Sequence, residues 1–212
     1  WREFEIAKLV KGHHILAPSV EPLVNHWLEG VQRDQIRMRV QKWLDKYIRK
    51  NLAKLFRLQS TGLEGAARGL VFQVVEQLGS TSRVAAQEQV DALRGRDRRF
   101  LSRMGLRIGK YSVFVGKLVQ PEVVRFRALL CSIFLDRMGA NIKFDGSAVV
   151  RLERADLRCI PYVGYHRFGD LGLRVDLVER LSILAHQKAR QGSFVATADL
   201  VNAAGCDGDD FI

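Results

Sequence analysis

Residues 100–121 have the sequence FLSRMGLRIGKYSVFVGKLVQP, in which the local pattern changes twice. The first residues continue a charged helix, and the following GLRIGKYSVFV piece has the composition of short β-strands, with period-two alternation over residues 111–115. Pro121 suits the first turn of a helix, so a new helix is expected from there to about Met138. The stretch therefore predicts a small β element between two helices.

The clearest predicted helix covers residues 31–58 and combines an apolar stripe with a dense set of cations. The apolar positions are Ile36, Val40, Trp43, Leu44, Tyr47, Ile48, Leu52, Leu55 and Phe56. The basic positions are Arg33, Arg37, Arg39, Lys42, Lys46, Arg49, Lys50, Lys54 and Arg57. Only Asp34 and Asp45 oppose them. Such a helix presents a positive stripe about 40 Å long; the alternative is an ordinary solvated helix face.

The rest of the chain shows weaker local signals. The predicted elements are a β piece or hairpin in residues 3–17 with a turn at 12–14, a loop framed by Pro18 and Pro22, a helix over 62–79, a helix over 83–93 capped by residues 80–82, and an irregular glycine-containing stretch over 139–170. A further helix is expected to cover residues 173–184.

The C-terminal residues have the outline of half a helix-turn-helix. Thr197 would cap a helix over 198–204, and Gly205 opens a tight turn before Asp209 starts the next helix. This segment is acidic, so we expect it to contact another protein or to dock on the body of the same protein, and not to enter a nucleic-acid groove. The predicted fold is mainly α: a basic helical accessory body with short β pieces (1–138), an irregular connection (139–170), and a small, truncated helix-turn-helix-like module (171–212).

The overall composition indicates a globular, strongly basic protein. Of its 212 residues, 47% are hydrophobic and 27% are charged, which is ordinary for a folded domain. The formal net charge of +11 favours a polyanionic partner, with nucleic acid first and an anionic membrane surface second. The alternative is a basic surface without such a partner. No apolar run reaches the roughly 20 residues of a membrane span, so no membrane is expected among the partners.

The cysteines point to a reducing compartment. Cys131, Cys159 and Cys206 are odd in number and far apart, so they form neither a disulfide framework nor a C-x-x-C half-site. A cytoplasmic location is the simple expectation. The chain begins at Trp1 and ends shortly after an acidic turn, which suggests an excerpt from a longer protein.

No set of residues predicts catalysis or a metal site. The sequence lacks the G-x-x-x-x-G-K-[ST] phosphate loop, so ATP hydrolysis by this segment alone is not expected. His13 and His14 are adjacent and poorly placed for one metal ion. Cys159 and His166 supply only two of the four ligands that a tetrahedral site needs, so structural roles are favoured. Cys131 is expected in the core.

The polyanion signal yields a set of candidate binding residues, because lysine and arginine contact phosphates without reading sequence. The predicted nucleic-acid-binding residues are Arg39, Lys42, Lys46, Arg49, Lys50, Lys54, Arg107, Lys110 and Tyr111. Tyr111 and Phe114 could stack on bases, although Phe114 equally suits a core position, which we favour. The arginines of residues 94–103 and Lys117 complete the basic clusters.

Several segments together resemble one family region, in the same order along the chain. WLD at 43–45 and LFRL at 55–58 resemble its "WLD…LFxL" helix, and residues 67–79 resemble "ARGLxFQLVExLG". Residues 105–121 resemble "GVRFGxxxVFLPALLKP", residues 175–181 resemble "VRVDILERL", and residues 205–211 resemble "GCSxEDF". The family comprises bacterial superfamily-2 (DEAD/DEAH-like) helicases related to the mitochondrial RNA-degradosome helicase. Gly116-Lys117 stands where its pattern has Leu-Pro.

The resemblance implies a role beside a motor that lies elsewhere. The parent proteins are ATP-dependent helicases, hydrolases that bind ATP and Mg²⁺ in two upstream motor domains, and this chain contains none of the motor motifs. The segment would be a non-catalytic C-terminal accessory region with no cofactor of its own. Its partners would be single-stranded RNA or DNA and the motor domains in cis.

Two functions from different classes follow as hypotheses. In the first, the chain holds single-stranded nucleic acid on its basic helical face by phosphate pairing. In the second, it is a protein-interaction scaffold whose basic face docks an acidic partner or the helicase motor domains. An independent enzyme is disfavoured because no convergent catalytic set is present.

Overall fold

The structure is a computed structural model that describes residues 5–23, 30–136, 144–154, 156–190 and 192. The predicted cap at Thr197, the helix over 198–204 and the turn at Gly205 lie outside the described residues, as does Cys206. The helix-turn-helix outline therefore stays a prediction, and of the predicted module over 171–212 the structure describes residues 171–190 and 192, which contain one strand and one helix.

Helices account for most of the described chain. They are α1 (Gly30–Asn51), α2 (Ala53–Gln59), α3 (Gly65–Glu76), α4 (Gln87–Asp91), α5 (Gly95–Arg103), α6 (Pro121–Phe134), α7 (Ile160–Val163) and α8 (Val175–Ala189), with 3₁₀ turns at Gly116–Val119 and Asp156–Arg158. The strands are β1 (Ala7–His14), β2 (Ala17–Pro22), β3 (Ser80–Ser82), β4 (Leu106–Ile108), β5 (Ser112–Val115), β6 (Val149–Arg151), β7 (Tyr165–Phe168) and β8 (Leu171–Arg174). They form three small antiparallel sheets, ordered β1-β2, β3-β5-β4 and β6-β8-β7. The fold is mixed α/β with predominant helix.

The predicted helix over 31–58 is two helices, because the chain bends at Leu52. Leu52 leaves helical geometry with φ −107° and ψ 27°. Its carbonyl accepts a hydrogen bond from the Leu55 amide, three residues later, at 2.8 Å, as in a 3₁₀ turn. Leu52, Leu55 and Leu58 are all fully buried. At 3.6 residues per turn these three side chains lie within about 120° of one another, so they form one apolar face that packs into the core beside the bend.

The predicted N-terminal hairpin is confirmed, but its turn lies later than expected. β1 runs through Gly12 and His14, and the turn falls at residues 15–16. A register shift marks a bulge between Val10 and His14. A Cβ at Gly12 would lie 1.8 Å from the Ala17 carbonyl oxygen, so only glycine fits there. Pro18, expected in a loop, lies in β2.

The β element predicted at residues 105–115 is confirmed as the β4–β5 hairpin. Its third strand was not anticipated: Ser80–Ser82, expected as a helix cap, pairs with Ser112–Phe114 of β5. The Ser82 hydroxyl still accepts the Ala85 amide at 3.1 Å, but the helix predicted over 83–93 is regular only at Gln87–Asp91. Phe114 is buried, as favoured from the sequence.

The stretch over 139–170 was predicted to be irregular, and its described part contains two strands and a short helix. β6 and β7 flank β8, and the sheet they form packs on α6. These strands are three or four residues long, too short to show period-two alternation clearly. Cys131 of α6 is buried in this contact, which confirms its predicted core position.

A buried arginine links the central elements. Arg127 of α6 is wholly buried and donates to the Tyr162 carbonyl at 2.9 Å, the Leu118 carbonyl at 3.0 Å and the Ser80 hydroxyl at 2.7 Å. Burial lowers the pKa of Arg127 to about 9, which leaves the guanidinium charged at neutral pH. Arg127 thus ties α6 to β3, α7 and the 3₁₀ turn at Gly116–Val119 without a carboxylate partner among the described residues.

Candidate nucleic-acid interface

The long helix α1 lies on the surface and buries little of its apolar stripe. Of its side chains only Leu44 and Ile48 are buried. Trp43 and Tyr47, which the spacing assigns to the apolar face, are 59% and 42% exposed. Trp43 therefore has most of its surface in solvent and Tyr47 somewhat less than half, although both have the spacing of the apolar positions. The core-facing sector of α1 is narrower than the apolar pattern suggests, and two aromatic rings remain on the outside.

The side of α1 that faces the protein is fixed by the N-terminal hairpin. Gln41 accepts the Val20 amide at 3.0 Å and donates to the Pro18 carbonyl at 3.1 Å, so its amide extends the hydrogen bonding of β2. Its amide nitrogen also donates to Asp45 at 2.9 Å. Because Gln41, Leu44 and Ile48 turn inward, the opposite sectors of the helix face solvent.

Three of the predicted cations share the helix face of Trp43. Arg39 stands four residues before it, Lys46 three residues after it and Lys50 seven residues after it, and these intervals bring side chains to one face. All three are exposed. Lys42 and Arg49, also exposed and seven residues apart, form a neighbouring stripe. The five cations and Trp43 are hereafter called the α1 face.

Lys54 does not continue this face. It follows the bend at Leu52 and belongs to α2, where it is partly buried. The sequence pattern, which treats residues 31–58 as one straight helix, places it on the basic stripe. The structure therefore separates Lys54 from the other predicted cations of the long helix.

The positive charge of the α1 face is not neutralised locally. Asp34 pairs with Arg37 at 3.3 Å, and Asp45 accepts the Gln41 bond. Within the part of the chain that the structure describes, no ion pair involves Arg39, Lys42, Lys46, Lys50 or Lys54. Arg49 lies 5.0 Å from the Phe56 ring centroid, a cation–π contact that keeps its charge. The surface is therefore available to an external anion.

The remaining predicted residues form a separate patch on the β4–β5 hairpin. Lys110 and Tyr111 occupy the turn, and the Lys110 ammonium lies 5.5 Å from the Tyr111 ring centroid. Arg107 is exposed on β4. This hairpin packs against α8, whereas α1 packs against the N-terminal hairpin and α2. The nine predicted residues thus belong to two surfaces built on different elements.

The turn that carries Lys110 and Tyr111 is held by one carboxylate. Glu179 of α8 accepts the backbone amides of Lys110 at 2.7 Å, Tyr111 at 2.8 Å and Ser112 at 2.8 Å. These successive amides form a concave anion-binding turn, and the protein fills it with its own anion. Phosphate binding at this backbone is therefore blocked in this conformation, and only the side chains remain exposed.

An aromatic row extends the hairpin patch. The His166 ring lies 5.9 Å from the Tyr111 ring and 4.9 Å from the Phe168 ring, measured between centroids. His166 therefore sits among surface rings, while Cys159 is buried at the start of α7. Among the described residues no group of three or more His, Cys, Asp or Glu side chains could hold a metal ion.

The two adjacent N-terminal histidines point to different sides of β1. His13 is exposed, whereas His14 bonds to Glu76 of α3 at 2.8 Å and so ties the hairpin to the helical body.

Three arginines of the basic cluster at residues 94–103 line a cleft that their sequence pattern does not reveal. A cavity of about 670 Å³ lies between the first turns of α3 and α5, and Arg94, Arg96 and Arg103 line it. Glu64 and Asp97 line it as well, and Asp97 pairs with Arg96 at 3.5 Å. The cleft is therefore of mixed charge, unlike the α1 face.

Comparison with protein-family models, with curated proteins and with solved structures produced no match. In the described ranges no helix has the length and apolar character needed to cross a membrane.

Proposed function

We propose that this chain is a non-motor C-terminal region of an ATP-dependent superfamily-2 helicase and that it contacts single-stranded nucleic acid through the α1 face. The observation that carries the binding role is the group of five exposed cations around an exposed Trp43, with no ion pair to a described carboxylate. ATP and Mg²⁺ belong, in this proposal, to motor domains outside this chain. A cytoplasmic location goes with the same proposal.

Physical chemistry favours a polyanion over other partners for this face. When exposed lysine and arginine side chains pair with phosphates, they displace the cations condensed on the nucleic acid, and the release of these cations supplies much of the binding free energy. Cations spaced along one helix face meet successive phosphates of a strand without selecting a sequence. The net charge of +11 adds long-range attraction at low salt.

The test is binding of the 212-residue chain to a fluorescent single-stranded RNA and a single-stranded DNA over a range of salt concentrations. The triple variant Arg39→Glu, Lys46→Glu, Lys50→Glu is expected to lose at least about tenfold in affinity at low salt. The slope of log affinity against log salt should fall by about 2, since each lost phosphate contact removes about 0.7.

A matched control distinguishes the effect of the α1 face from the effect of the net charge of the protein. Arg158→Glu, Arg180→Glu, Arg190→Glu makes the same change in charge at three exposed residues on other elements. It should weaken binding far less than the α1 variant. Equal loss in both triple variants would assign binding to net charge alone, and unchanged affinity in the α1 variant would refute the proposed interface.

The competing function, a docking scaffold for an acidic partner or for the motor domains, makes a different prediction in the same assay. The chain would then bind no oligonucleotide even at low salt, while α1 substitutions in the longer protein would change the coupling of ATP hydrolysis to unwinding.

A further inference from the structure

Trp43 and Tyr47 form a fixed pair of stacked rings on the solvent side of α1. Their centroids are 5.2 Å apart and their planes differ by 21°. Behind Tyr47, the ring of Phe126 in α6 meets it edge-on, with centroids 5.4 Å apart and planes at 82°. Tyr47 is thus held between two rings, and Trp43 is the outermost of the three.

Because this pair is exposed, the protein forgoes much of the stabilisation that burial of the two rings would provide. Trp43 leaves 59% of its surface in water, although aromatic side chains contribute most when buried. The stack holds the indole in one place, so little side-chain entropy remains to be lost when a partner covers it. A rigid, flat, exposed ring is a preorganised binding surface.

The charges around the pair indicate what would cover it. Arg39 lies about 6 Å before Trp43 along the helix axis and Lys46 about 4.5 Å after it, at 1.5 Å per residue. Lys50 follows on the same face. A ring with cations on both sides matches a ligand that is flat and apolar at its centre and anionic on either side of it, which is an unpaired nucleobase in its phosphate chain.

We propose that Trp43, supported by Tyr47, is a stacking platform for an unpaired base of single-stranded RNA or DNA, while Arg39, Lys46 and Lys50 hold the flanking phosphates. The ligand class rests on the proposed function. The platform adds a preference for single strands over duplexes, which cations alone do not provide. The bases of a duplex are already stacked and paired, so their faces are covered.

The experiment compares three oligonucleotides of equal length: a single strand, a single strand with a central run of abasic sites, and a duplex. The abasic strand keeps the phosphates and lacks the bases. The variant Trp43→Ala should bind the intact single strand about 5- to 150-fold more weakly, while its salt slope stays unchanged because the phosphate contacts remain. Trp43→Phe should keep most of the affinity.

The abasic strand isolates the stacking contribution. The unmodified protein should bind it about as weakly as Trp43→Ala binds the intact strand, and Trp43→Ala should bind both strands alike. The preference for single strand over duplex should shrink in the same variant. Phe72→Ala is the control, since Phe72 is 64% exposed on α3, a helix that carries a single basic residue, Arg68.

Each result supports or overturns the platform. If Trp43→Ala binds like the unmodified protein while the Arg39, Lys46, Lys50 variant loses affinity, the proposed function stands and the platform is wrong. If neither variant loses affinity, both fail. If Trp43→Ala weakens binding to the intact and abasic strands equally, the ring supports the helix without stacking on bases, and the platform is again wrong.

Far-ultraviolet circular dichroism and thermal unfolding establish whether Trp43→Ala is folded. If it is not folded, Trp43→Phe provides the comparison.

Discussion

The carboxylate of Glu179 occupies the space that a side chain at Gly109 would need. A Cβ built on Gly109 would lie 2.1 Å from the Glu179 carboxyl carbon. Because glycine stands there, the carboxylate reaches the three successive amides of residues 110–112 and fixes the β4–β5 turn to α8. Glu179, which is distant in sequence, therefore fixes the position of Lys110 and Tyr111 on the surface.

Gly109→Ala should destabilise the protein by about 1–3 kcal/mol, because it displaces a carboxylate that accepts charge-assisted hydrogen bonds. The free energy of unfolding in urea measures this. In a Glu179→Ala background the same substitution should cost much less, since the clash has been removed. Gly62→Ala, where a Cβ meets open space, is the control. An equal cost in both backgrounds would contradict the proposed coupling.

Arg127→Met should destabilise the protein by about 3–5 kcal/mol, because it leaves buried carbonyls and the Ser80 hydroxyl without their donor. Arg127→Lys should recover only part of the loss, since an ammonium cannot reach the spread of acceptors that the guanidinium fork spans. Chemical denaturation of the three proteins measures the differences. Full stability in the lysine variant would show that the charge alone, and not the fork, is required.

Lys50→Glu should weaken single-strand binding several-fold more than Lys54→Glu. The two lysines are four residues apart in sequence, but Lys50 is exposed on α1 and Lys54 is partly buried on α2 beyond the bend at Leu52. Fluorescence anisotropy at low salt measures the difference, with identical charge changes in both variants. Equal losses would indicate a straight basic helix in solution, as the sequence pattern alone suggests.

Asp145→Asn should lower stability at neutral pH and have little effect in strong acid. Hydrogen bonds from Ser147, through its side chain and its amide, hold the pKa of Asp145 below its ordinary value. A depressed folded-state pKa stabilises the fold at pH values above the ordinary carboxyl pKa, and this stability is lost as the pH falls through the folded value. Thermal unfolding of both proteins at pH 7 and near pH 3 tests this. A difference that persists unchanged at the lower pH would exclude the charge as its source.

Features that depend on neighbouring residues could be predicted from the sequence. The start of α6 follows from the fixed φ of Pro121, and the long basic helix follows from its three/four spacing. The β4–β5 hairpin follows from apolar strand-forming residues on either side of a glycine-containing turn. The buried position of Cys131 follows from its place on the apolar face of its helix, whereas β5 is buried on both faces, so the burial of Phe114 does not depend on alternation. The cations of the α1 face were also found this way, because exposed charge is the default for lysine and arginine.

Features that depend on distant contacts could not be predicted in this way. The pairing of Ser80–Ser82 with β5 joins segments about 30 residues apart, and a three-residue strand carries no periodic signal of its own. The position of Lys54 depends on the break at Leu52, which the regular spacing of residues 31–58 does not reveal. Trp43 and Tyr47 have the spacing of core residues, and they remain partly exposed because the hairpin packs on the side of α1 that carries Gln41, while α6 reaches Tyr47 through the Phe126 ring. Periodicity places residues on one face of a helix, but tertiary packing determines how much of that face is covered.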